Sequence, residues 1–195
     1  MTEALWRGSF GNDYAERNPV EIGARRGPFW AGLLSRYPVK SVLEVGCGVG
    51  ANLQHLRSVP MLIGLDVNEH AVDEARCLGV RAIVAPATDI PYPDASFDLV
   101  FTSGLLIHLG DAQLLRAMDE MYRVSSRYLL AIEYESEAAI DAPYRGHTGA
   151  LWRRPYGRMI QERFPTLILR ETGFLSGPVE ETGWDHVTYW MFERP

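Results

Sequence analysis

The sequence predicts one α/β domain built around a mostly parallel sheet. Short apolar runs typical of buried strands alternate with segments that show helical periodicity or helix caps, and this alternation favours right-handed βαβ units. A glycine-rich turn follows the first run, as in sheets that bind nucleotides at the carboxyl ends of their strands. The strands are predicted at residues 42–45, 61–65, 80–85, 96–103 and 128–134.

The segments around these strands complete the first part of the predicted order. Residues 1–38 precede the first strand and are expected to form lid helices, one with Pro28 in its first turn. Asn68 is expected to cap a helix that ends at Gly79, and Asp111 is expected to cap the longest helix. Helices in these places would cover the faces of the sheet.

The C-terminal part of the sequence departs from this alternation. Residues 135–155 are polar and rich in turn residues, and they are predicted to form a long loop on the substrate side of the sheet. A helix at 155–164 follows, and the apolar runs 166–169 and 187–192 are expected to form an antiparallel hairpin at the sheet edge. The single domain 1–195 is thus divided into a lid, a binding core, an insert and a C-terminal part, at 1–38, 39–134, 135–155 and 156–195.

Length and composition bound the function. With 195 residues, of which 47% are hydrophobic, the chain can bury one sizeable core. The net charge of −6 comes from interspersed acidic and basic residues, so neither a nucleic-acid partner nor a membrane partner is predicted, and a small-molecule substrate is expected. Two cysteines and the lack of a signal pattern or long apolar run favour a cytoplasmic protein. The aromatic residues at each end fit a monomer or a homodimer.

The segment 41–52, SVLEVGCGVGAN, is predicted to bind a nucleotide. Glycines at alternate positions after a strand let the backbone turn tightly, and a helix that begins at Ala51 would point its N–H groups at the ligand. Gly46, Gly48 and Ala51 fit the dinucleotide fingerprint, and Asp66 follows at about twenty residues, where an acid meets a ribose hydroxyl. On these residues alone, a dinucleotide remains open.

Glu44 and Gly50 complete an E-x-G-x-G-x-G string that resembles the first motif of class I S-adenosylmethionine-dependent methyltransferases. LIGLDVN resembles the second motif with its ribose-binding acid, and DIPYPDASFDLVF resembles the adenine-loop and fourth-strand motifs, so the resemblance covers nearly the whole chain. In more detail, the chain is similar to the pseudaminic acid biosynthesis-associated methylases. The segments similar to that family are FGNDYAERNP, NLQHL, GLDVNEHAVDEAR, FDLVFTSGLLIHL, MYRVSSRYLLAIEYES, PYRGH and TYWMFE.

The resemblance implies a Rossmann-like class I methyltransferase fold. This fold has a seven-stranded, mostly parallel sheet, an antiparallel C-terminal edge hairpin and helices on both faces. The resemblance also implies an enzyme that uses S-adenosylmethionine, releases S-adenosylhomocysteine and holds no metal. Small-molecule biosynthesis is the expected setting.

Residue by residue, the resemblance assigns a cofactor site. Asp66 would accept hydrogen bonds from both ribose hydroxyls, and Tyr14 and Arg17 would close over the methionine carboxylate. Pro86 stands where many of these enzymes have an acid, so the backbone near the next two residues is expected to read the adenine. The residues expected to bind the cofactor are Tyr14, Arg17, Glu44, Gly46, Cys47, Gly48, Gly50, Asn52, Asp66, Val67, Asn68, Ala87, Thr88, Asp89 and Ser103.

Methyl transfer is an in-line displacement, so the candidate catalytic residues are those that hold the nucleophile and remove its proton. His108 is the leading base because imidazole titrates near neutral pH, and a structural histidine in an apolar run is the equal alternative. Arg145 and His147 would bind an anionic substrate, with an exposed salt bridge as the alternative. The catalytic candidates are His108, Tyr134 and His147, and the substrate-binding candidates are Glu133, Tyr144, Arg145 and His147.

These observations predict methyl transfer to an oxygen or nitrogen of a small, polar, anionic metabolite, such as a sugar acid or a specialised-metabolite intermediate. One alternative is a protein that binds S-adenosylmethionine without methyl transfer. Another is an NAD-dependent oxidoreductase, which would need a second mononucleotide-binding half that the sequence does not offer after Leu130. Protein or nucleic-acid methylation is disfavoured because TSGL, residues 102–105, stands where a D/N-P-P-Y/F/W string would follow the fourth strand.

Overall fold

The computed structural model describes residues 3–177 and 179–195, which contain one seven-stranded sheet and a separate two-stranded hairpin. The strands of the large sheet are β1 (Ser41–Val45), β2 (Met61–Asp66), β3 (Arg81–Val84), β4 (Phe97–Ser103), β5 (Ser125–Glu133), β8 (Ile168–Leu175) and β9 (Val187–Glu193). The hairpin consists of β6 (Ile140–Tyr144) and β7 (His147–Arg153).

The order of strands in the large sheet is β3-β2-β1-β4-β5-β9-β8. The first five strands pair in parallel, whereas β9 runs antiparallel to both β5 and β8. The prediction of a mostly parallel sheet with an antiparallel C-terminal edge is therefore confirmed. Because β1 lies between β2 and β4, the carboxyl ends of these three strands meet at one edge of the sheet.

Seven α-helices are found in the described part of the chain. They are α1 (Glu3–Arg7), α2 (Ser9–Arg17), α3 (Gly27–Arg36), α4 (Glu69–Cys77), α5 (Asp111–Val124), α6 (Tyr156–Arg163) and α7 (Val179–Thr182). Short 3-10 helices lie at Val20–Arg26, Leu53–His55 and Leu106–His108. None of the described helices is long and apolar enough to cross a membrane.

Helices cover both faces of the sheet. Side chains along a strand point alternately to the two faces, so apolar residues on both faces need a covering layer. On β1, Val42 packs with Trp30 of α3 on one face, whereas Leu43 packs with Met118 of α5 on the other. All four side chains are at most 1% exposed. The sheet is thus buried on both sides, as its near-continuous apolar strands predict.

The helix predicted from Ala51 does not form as an α-helix. Only one 3-10 turn, Leu53–His55, follows the glycine turn. The buried residues Leu53, Leu56 and Val59 recur at every third position, which matches the three residues per turn of a 3-10 helix. The N–H groups of Leu56 and Val59 also donate to carbonyl oxygens three residues earlier, so the chain continues in tight turns up to Pro60. The candidate ligand site consequently lacks the helix N-terminus that the sequence suggested.

The insert also differs from its prediction. Instead of a long loop, residues 140–153 form the antiparallel hairpin of β6 and β7. Arg145 and Gly146 at its tip have φ angles of 50° and 79°, and positive φ at both central residues matches the right-handed twist of a hairpin. The sequence signal was weak because Arg is an uncommon residue at such a position. The hairpin places Tyr144 and His147 beside Phe10 of the lid.

Candidate cofactor and substrate site

A cavity of about 530 Å³ opens at the carboxyl ends of β1, β2 and β4, beneath the lid helices α1 and α2. This volume lies within the range of about 300–1,000 Å³ that is usual for ligand pockets. Most residues predicted for the site reach it. The predicted residues that line the cavity are Tyr14, Glu44, Gly46, Cys47, Gly48, Asn52, Asp66, Val67, Asn68, Ala87, Thr88, Ser103, His108, Tyr134 and Tyr144.

The end of β2 holds the glycine turn in place. The backbone N–H groups of Gly46 and Cys47 donate to the carbonyl oxygen of Leu65, at 2.7 and 3.0 Å. The N–H of Gly48 donates to Oδ2 of Asp66 at 2.9 Å. Gly46 and Gly48 have φ angles of 78° and 50°, in the left-handed region that favours glycine. The turn therefore presents backbone rather than side chains to the cavity.

Two of these glycines have different roles. At Gly48 a Cβ atom would meet nothing within 4 Å, so the backbone is open to a ligand. Gly50 does not line the cavity; a Cβ there would face Ala75 of α4 at 3.4 Å, and its φ is 85°. Because such contacts are of ordinary length, it is the positive φ of the turn that favours glycine at position 50.

Glu44 and Asn52 form the centre of a buried polar network on one side of the cavity. Asn52 Nδ2 donates to Glu44 Oε1 at 2.6 Å, and Arg26 Nη1 donates to Asn52 Oδ1 at 2.9 Å. Arg26 Nε also donates to the carbonyl oxygen of Gly183 at 2.7 Å, and its guanidinium lies 4.4 Å from the ring centroid of Trp184. The other carboxylate oxygen of Glu44, Oε2, is buried without a partner among the described residues.

The electrostatics of this network follow from its burial. Burial raises the pKa of Glu44 to about 8, against the opposing effects of Asn52 and Arg26. Burial also lowers the pKa of Arg26. A buried polar atom without a partner costs free energy, so the network is suited to a ligand that brings both a donor and an anionic group.

Sequence reasoning missed Arg26. It stands in the run Arg25-Arg26-Gly27, and no spacing relates it to Glu44. Its neighbour Arg25 is exposed, so only the packing of the 3-10 helix Val20–Arg26 against residues 183 and 184 distinguishes the two arginines. Arg17, which the sequence assigned to the methionine carboxylate, is exposed and does not line the cavity.

Asp66 and the residues after it line another side of the cavity. Asp66 Oδ1 accepts from the N–H of Asn68 at 2.9 Å, so both carboxylate oxygens accept hydrogen bonds from the backbone. Burial raises the pKa of Asp66, whereas these backbone donors lower it. A carboxylate can accept about four hydrogen bonds, which leaves capacity on both oxygens for hydroxyl groups of a ligand.

The lid is fastened to this side through Asn68. Its Nδ2 donates to the carbonyl oxygen of Trp6 at 2.9 Å and to Asn12 Oδ1 at 2.8 Å, while its Oδ1 caps α4 by accepting from Ala71 N–H at 2.8 Å. Gly11 permits this approach because a Cβ there would lie 2.6 Å from Asn68 Nδ2. The predicted cap of α4 by Asn68 is thus confirmed, and the same side chain positions the lid.

The third side of the cavity is aromatic. Trp6 and Tyr14 from the lid, His108 from the segment after β4, and Tyr144 from the hairpin surround it, and we call these four residues the aromatic wall. The ring centroids of Trp6 and His108 lie 4.4 Å apart, and those of His108 and Tyr144 lie 5.5 Å apart. Burial raises the pKa of Tyr14 to about 12, so its phenol stays protonated.

His108 has a defined tautomer. Its Nδ1 lies 2.7 Å from the carbonyl oxygen of Ala150 on β7, and because a carbonyl oxygen only accepts, Nδ1 carries the proton. Nε2 is then left with a lone pair. Burial lowers the pKa of His108 to about 4, so the ring is neutral at physiological pH. The structure therefore offers a proton acceptor in the aromatic wall, held by the hairpin.

Glu133 and Tyr134, at the end of β5, are placed differently. Glu133 is fully buried outside the cavity lining, where its Oε1 accepts from Leu105 and Leu106 N–H groups at 3.3 and 3.2 Å. Burial raises the pKa of Glu133 to about 7. Tyr134 lines the cavity, and its hydroxyl donates to Asp185 Oδ2 at 2.7 Å. Glu133 therefore holds the backbone before His108 and does not reach a substrate.

Three further predicted residues lie outside the cavity lining. Asp89 is exposed on the loop after β3, and Arg145 and His147 are exposed at the hairpin tip. The guanidinium of Arg145 lies 5.9 Å from the ring centroid of Tyr144, and the ring of His147 packs edge-on against Phe10. The structure thus does not bring the proposed anion-binding pair to the site. Within the described residues, no group of three His, Cys, Asp or Glu side chains could hold a metal ion.

Comparison with known proteins agrees with this geometry. Residues 42–127 match the family described as "Methyltransferase domain". The magnesium protoporphyrin IX methyltransferase of Synechocystis PCC 6803, crystallised with S-adenosylhomocysteine, superposes with a TM-score of 0.75 over 99% of this chain and 98% of that one, at 15% identity. The match identifies a methyltransferase domain over residues 42–127, and the superposition shows that the fold is shared over nearly the whole chain. Its sheet and flanking helices form the same Rossmann-like fold as this and another solved methyltransferase, and both of those structures contain S-adenosylhomocysteine.

Two other similar proteins are named for methyl transfer to an oxygen or a nitrogen atom. O-methyltransferase resE of Aspergillus sclerotiorum is 29% identical over 173 residues, which cover 82% of this chain and 61% of the relative. The 1,6-didemethyltoxoflavin-N1-methyltransferase of Burkholderia thailandensis, solved with its substrate and S-adenosylhomocysteine, has a TM-score of 0.73 at 15% identity and covers 98% of this chain and 88% of its own. This chain spans 56% to 61% of the length of the first curated relatives that it matches.

The raised pKa values of the buried carboxyls predict how stability depends on pH. Because the folded pKa of Glu44 is about 8 and its ordinary value is 4.5, its contribution to stability is complete below about pH 4.5 and is lost as pH rises through 8. We expect the free energy of unfolding to fall between pH 6.5 and 8.0, and Glu44→Gln to reduce that fall by about 1–2 kcal/mol. Urea denaturation at several pH values, with the ligand-free protein, measures how the free energy of unfolding changes with pH in the wild-type protein and in Glu44→Gln.

Glu120→Gln is the matched control. The hydrogen bond from Arg123 lowers the pKa of Glu120, so this carboxyl titrates below the chosen pH range. His108, with a pKa of about 4, also titrates below it. Equal pH slopes for the wild-type protein and Glu44→Gln would contradict the assignment of a raised pKa to Glu44.

Proposed function

We propose that the protein transfers a methyl group from S-adenosylmethionine to an oxygen or nitrogen of a small polar metabolite. The observation that carries this proposal is the division of one cavity into three sides. Asp66 and its neighbours form one side, the Glu44–Asn52–Arg26 network forms another, and the aromatic wall forms the third. The first two suit the ribose and the methionine of the cofactor, which leaves the third for the methyl acceptor.

The residues present fit S-adenosylmethionine. The free lone pairs of Asp66 suit the two ribose hydroxyls, and the open backbone at Gly48 allows close approach. Arg26 suits the methionine carboxylate because a guanidinium binds carboxylates well. The unpartnered Oε2 of Glu44 suits the methionine ammonium group, whose charge would favour the ionised carboxyl.

When bound, S-adenosylmethionine supplies an electrophilic methyl group: a lone pair of the acceptor atom bonds to the methyl carbon while the carbon–sulfur bond breaks, and the sulfur keeps that electron pair. The part of this chain is to hold the acceptor and to take up its proton. His108 Nε2 is the candidate proton acceptor because Nδ1 already donates to Ala150. Tyr134 is bound to Asp185 and is assigned to positioning.

The charge of the methyl acceptor can be inferred from the positions of Arg145 and His147. A required negative charge on the substrate was predicted from Arg145 and His147, which lie outside the cavity, so the proposal keeps a small polar acceptor without that charge. The similar O-methyltransferase favours an oxygen acceptor, and the similar 1,6-didemethyltoxoflavin-N1-methyltransferase favours a nitrogen atom of a small molecule. The sequence also supports four further proposals. These are membership of the pseudaminic acid biosynthesis-associated methylases, a cytoplasmic location, a monomeric or homodimeric state, and the lack of a nucleic-acid partner.

The alternatives are less well supported. An NAD-dependent oxidoreductase would need a second parallel half of the sheet, but antiparallel β9 follows β5 in the sheet order. A protein that binds the cofactor without methyl transfer would have the same first two sides of the cavity. The proton acceptor at His108 is the observation that favours catalysis over that alternative.

Asp66→Asn should weaken the binding of S-adenosylhomocysteine about tenfold or more, because the loss of a charged hydrogen-bond acceptor costs about 1–3 kcal/mol. Isothermal titration calorimetry with the full chain measures this change. Asp89→Asn, the same substitution outside the cavity, should leave the affinity unchanged. If NAD bound to the wild-type protein and S-adenosylhomocysteine did not, the proposed function would be wrong.

His108→Asn tests the proton acceptor. Asparagine keeps a donor for the carbonyl oxygen of Ala150 and removes Nε2, so we expect turnover to fall by about 10²–10⁴-fold for an acceptor that must lose a proton. Affinity for S-adenosylhomocysteine should stay the same. His147→Asn at the exposed hairpin tip is the matched control and should keep wild-type turnover. Normal turnover of His108→Asn would assign His108 a structural role.

A further inference from the structure

The aromatic wall has the shape and chemistry of a site for a flat molecule. It brings together side chains from three separate parts of the chain: the lid, the segment after β4 and the hairpin. The ring planes of Trp6 and Tyr14 lie at 77° and those of Trp6 and His108 at 50°, so their faces and edges enclose the cavity from different directions. Aromatic faces favour contact with planar, polarisable groups.

The wall also has two unused hydrogen-bonding atoms. Trp6 Nε1 is buried and has no partner among the described residues. His108 Nε2 has a lone pair, because Nδ1 carries the proton. One donor and one acceptor thus stand on rings whose centroids are 4.4 Å apart. A hydroxyl or ring N–H group, which can both donate and accept, satisfies both atoms at once.

The aromatic wall offers an anionic substrate no free cation among the described residues that line the cavity. Arg26 is the one cationic side chain found among the described lining residues, and the proposed function assigns it to the methionine carboxylate of the cofactor. Glu3 is paired with Arg7 at 2.6 Å, and Asp185 accepts from Tyr134. A carboxylate or phosphate placed against the wall would therefore lose water without gaining a cation, which costs free energy.

We propose that the methyl acceptor is an uncharged planar molecule, aromatic or heteroaromatic, whose hydroxyl or ring N–H lies between Trp6 Nε1 and His108 Nε2. This inference rests on the proposed function and names its substrate class. It separates a planar substrate from a sugar acid, because a sugar acid is neither flat nor uncharged. Trp6 is a specificity-determining residue in this account, and Tyr144 provides a second ring face.

Three probes of one carbon skeleton test the substrate class. Isothermal titration calorimetry is performed on the full chain saturated with S-adenosylhomocysteine, with 1-naphthol, 1-naphthoate and decahydro-1-naphthol. 1-Naphthoate adds a negative charge, and decahydro-1-naphthol removes planarity. We expect 1-naphthol to bind about tenfold more tightly than either of the others, because 1-naphthoate buries a charge without a cation and decahydro-1-naphthol loses the contact with the aromatic faces.

Substitutions in the lid locate the binding. Trp6→Leu should weaken 1-naphthol binding about tenfold, and Trp6→Phe, which keeps a ring but removes Nε1, by about fivefold, the value of one hydrogen bond. Phe10→Leu is the matched control, because Phe10 packs against Trp6 with ring centroids 5.2 Å apart but does not line the cavity. It should keep wild-type affinity for 1-naphthol. All variants should keep their affinity for S-adenosylhomocysteine.

Equal or tighter binding of 1-naphthoate would overturn the inference in favour of an anionic acceptor. Equal losses for Trp6→Phe and Phe10→Leu would overturn it too, because both residues would then act only through lid packing. Failure of the wild-type protein to bind S-adenosylhomocysteine would instead remove the proposed function on which the inference rests. The affinity for S-adenosylhomocysteine therefore distinguishes the two failures.

Discussion

The whole site depends on the hydrogen bonds that join the glycine turn after β1 to the end of β2. Parallel pairing sets Val45 opposite Leu65, so the turn that starts at Gly46 meets the carbonyl of Leu65 and the carboxylate of Asp66. A helix N-terminus is not needed for this arrangement. The hydrogen bonds from the turn to β2 fix the backbone of the turn. In that conformation the backbone of Gly48 is open to a ligand.

The lid and the aromatic wall are built outward from the same edge. Asn68 follows Asp66 by two residues, caps α4 and holds the lid through the backbone of Trp6. The hairpin contributes from the opposite side, where Ala150 sets the tautomer of His108. Cofactor binding, lid position and the proposed substrate surface are therefore linked through short hydrogen-bonded steps, although the residues are far apart in the sequence.

The sequence predicted the parts that depend on local pattern and missed those that depend on packing. The apolar strands, the cap at Asn68 and the acid Asp66 at a strand end are local features, and the structure places them as predicted. Arg26 could not be predicted because its burial depends on a segment more than 150 residues away, at Gly183. The sequence assigned Arg145 and His147 to the substrate, whereas in the structure they lie at a two-residue hairpin turn and do not line the cavity.

A crystal structure of the full chain with S-adenosylhomocysteine tests the central claim, that the cavity separates a cofactor side from an aromatic acceptor side. We predict ribose hydroxyls within hydrogen-bonding distance of Asp66, the methionine carboxylate at Arg26, and the sulfur facing the space enclosed by Trp6, His108 and Tyr144. A sulfur directed away from that space, or an adenosine group stacked within the aromatic wall, would contradict the account.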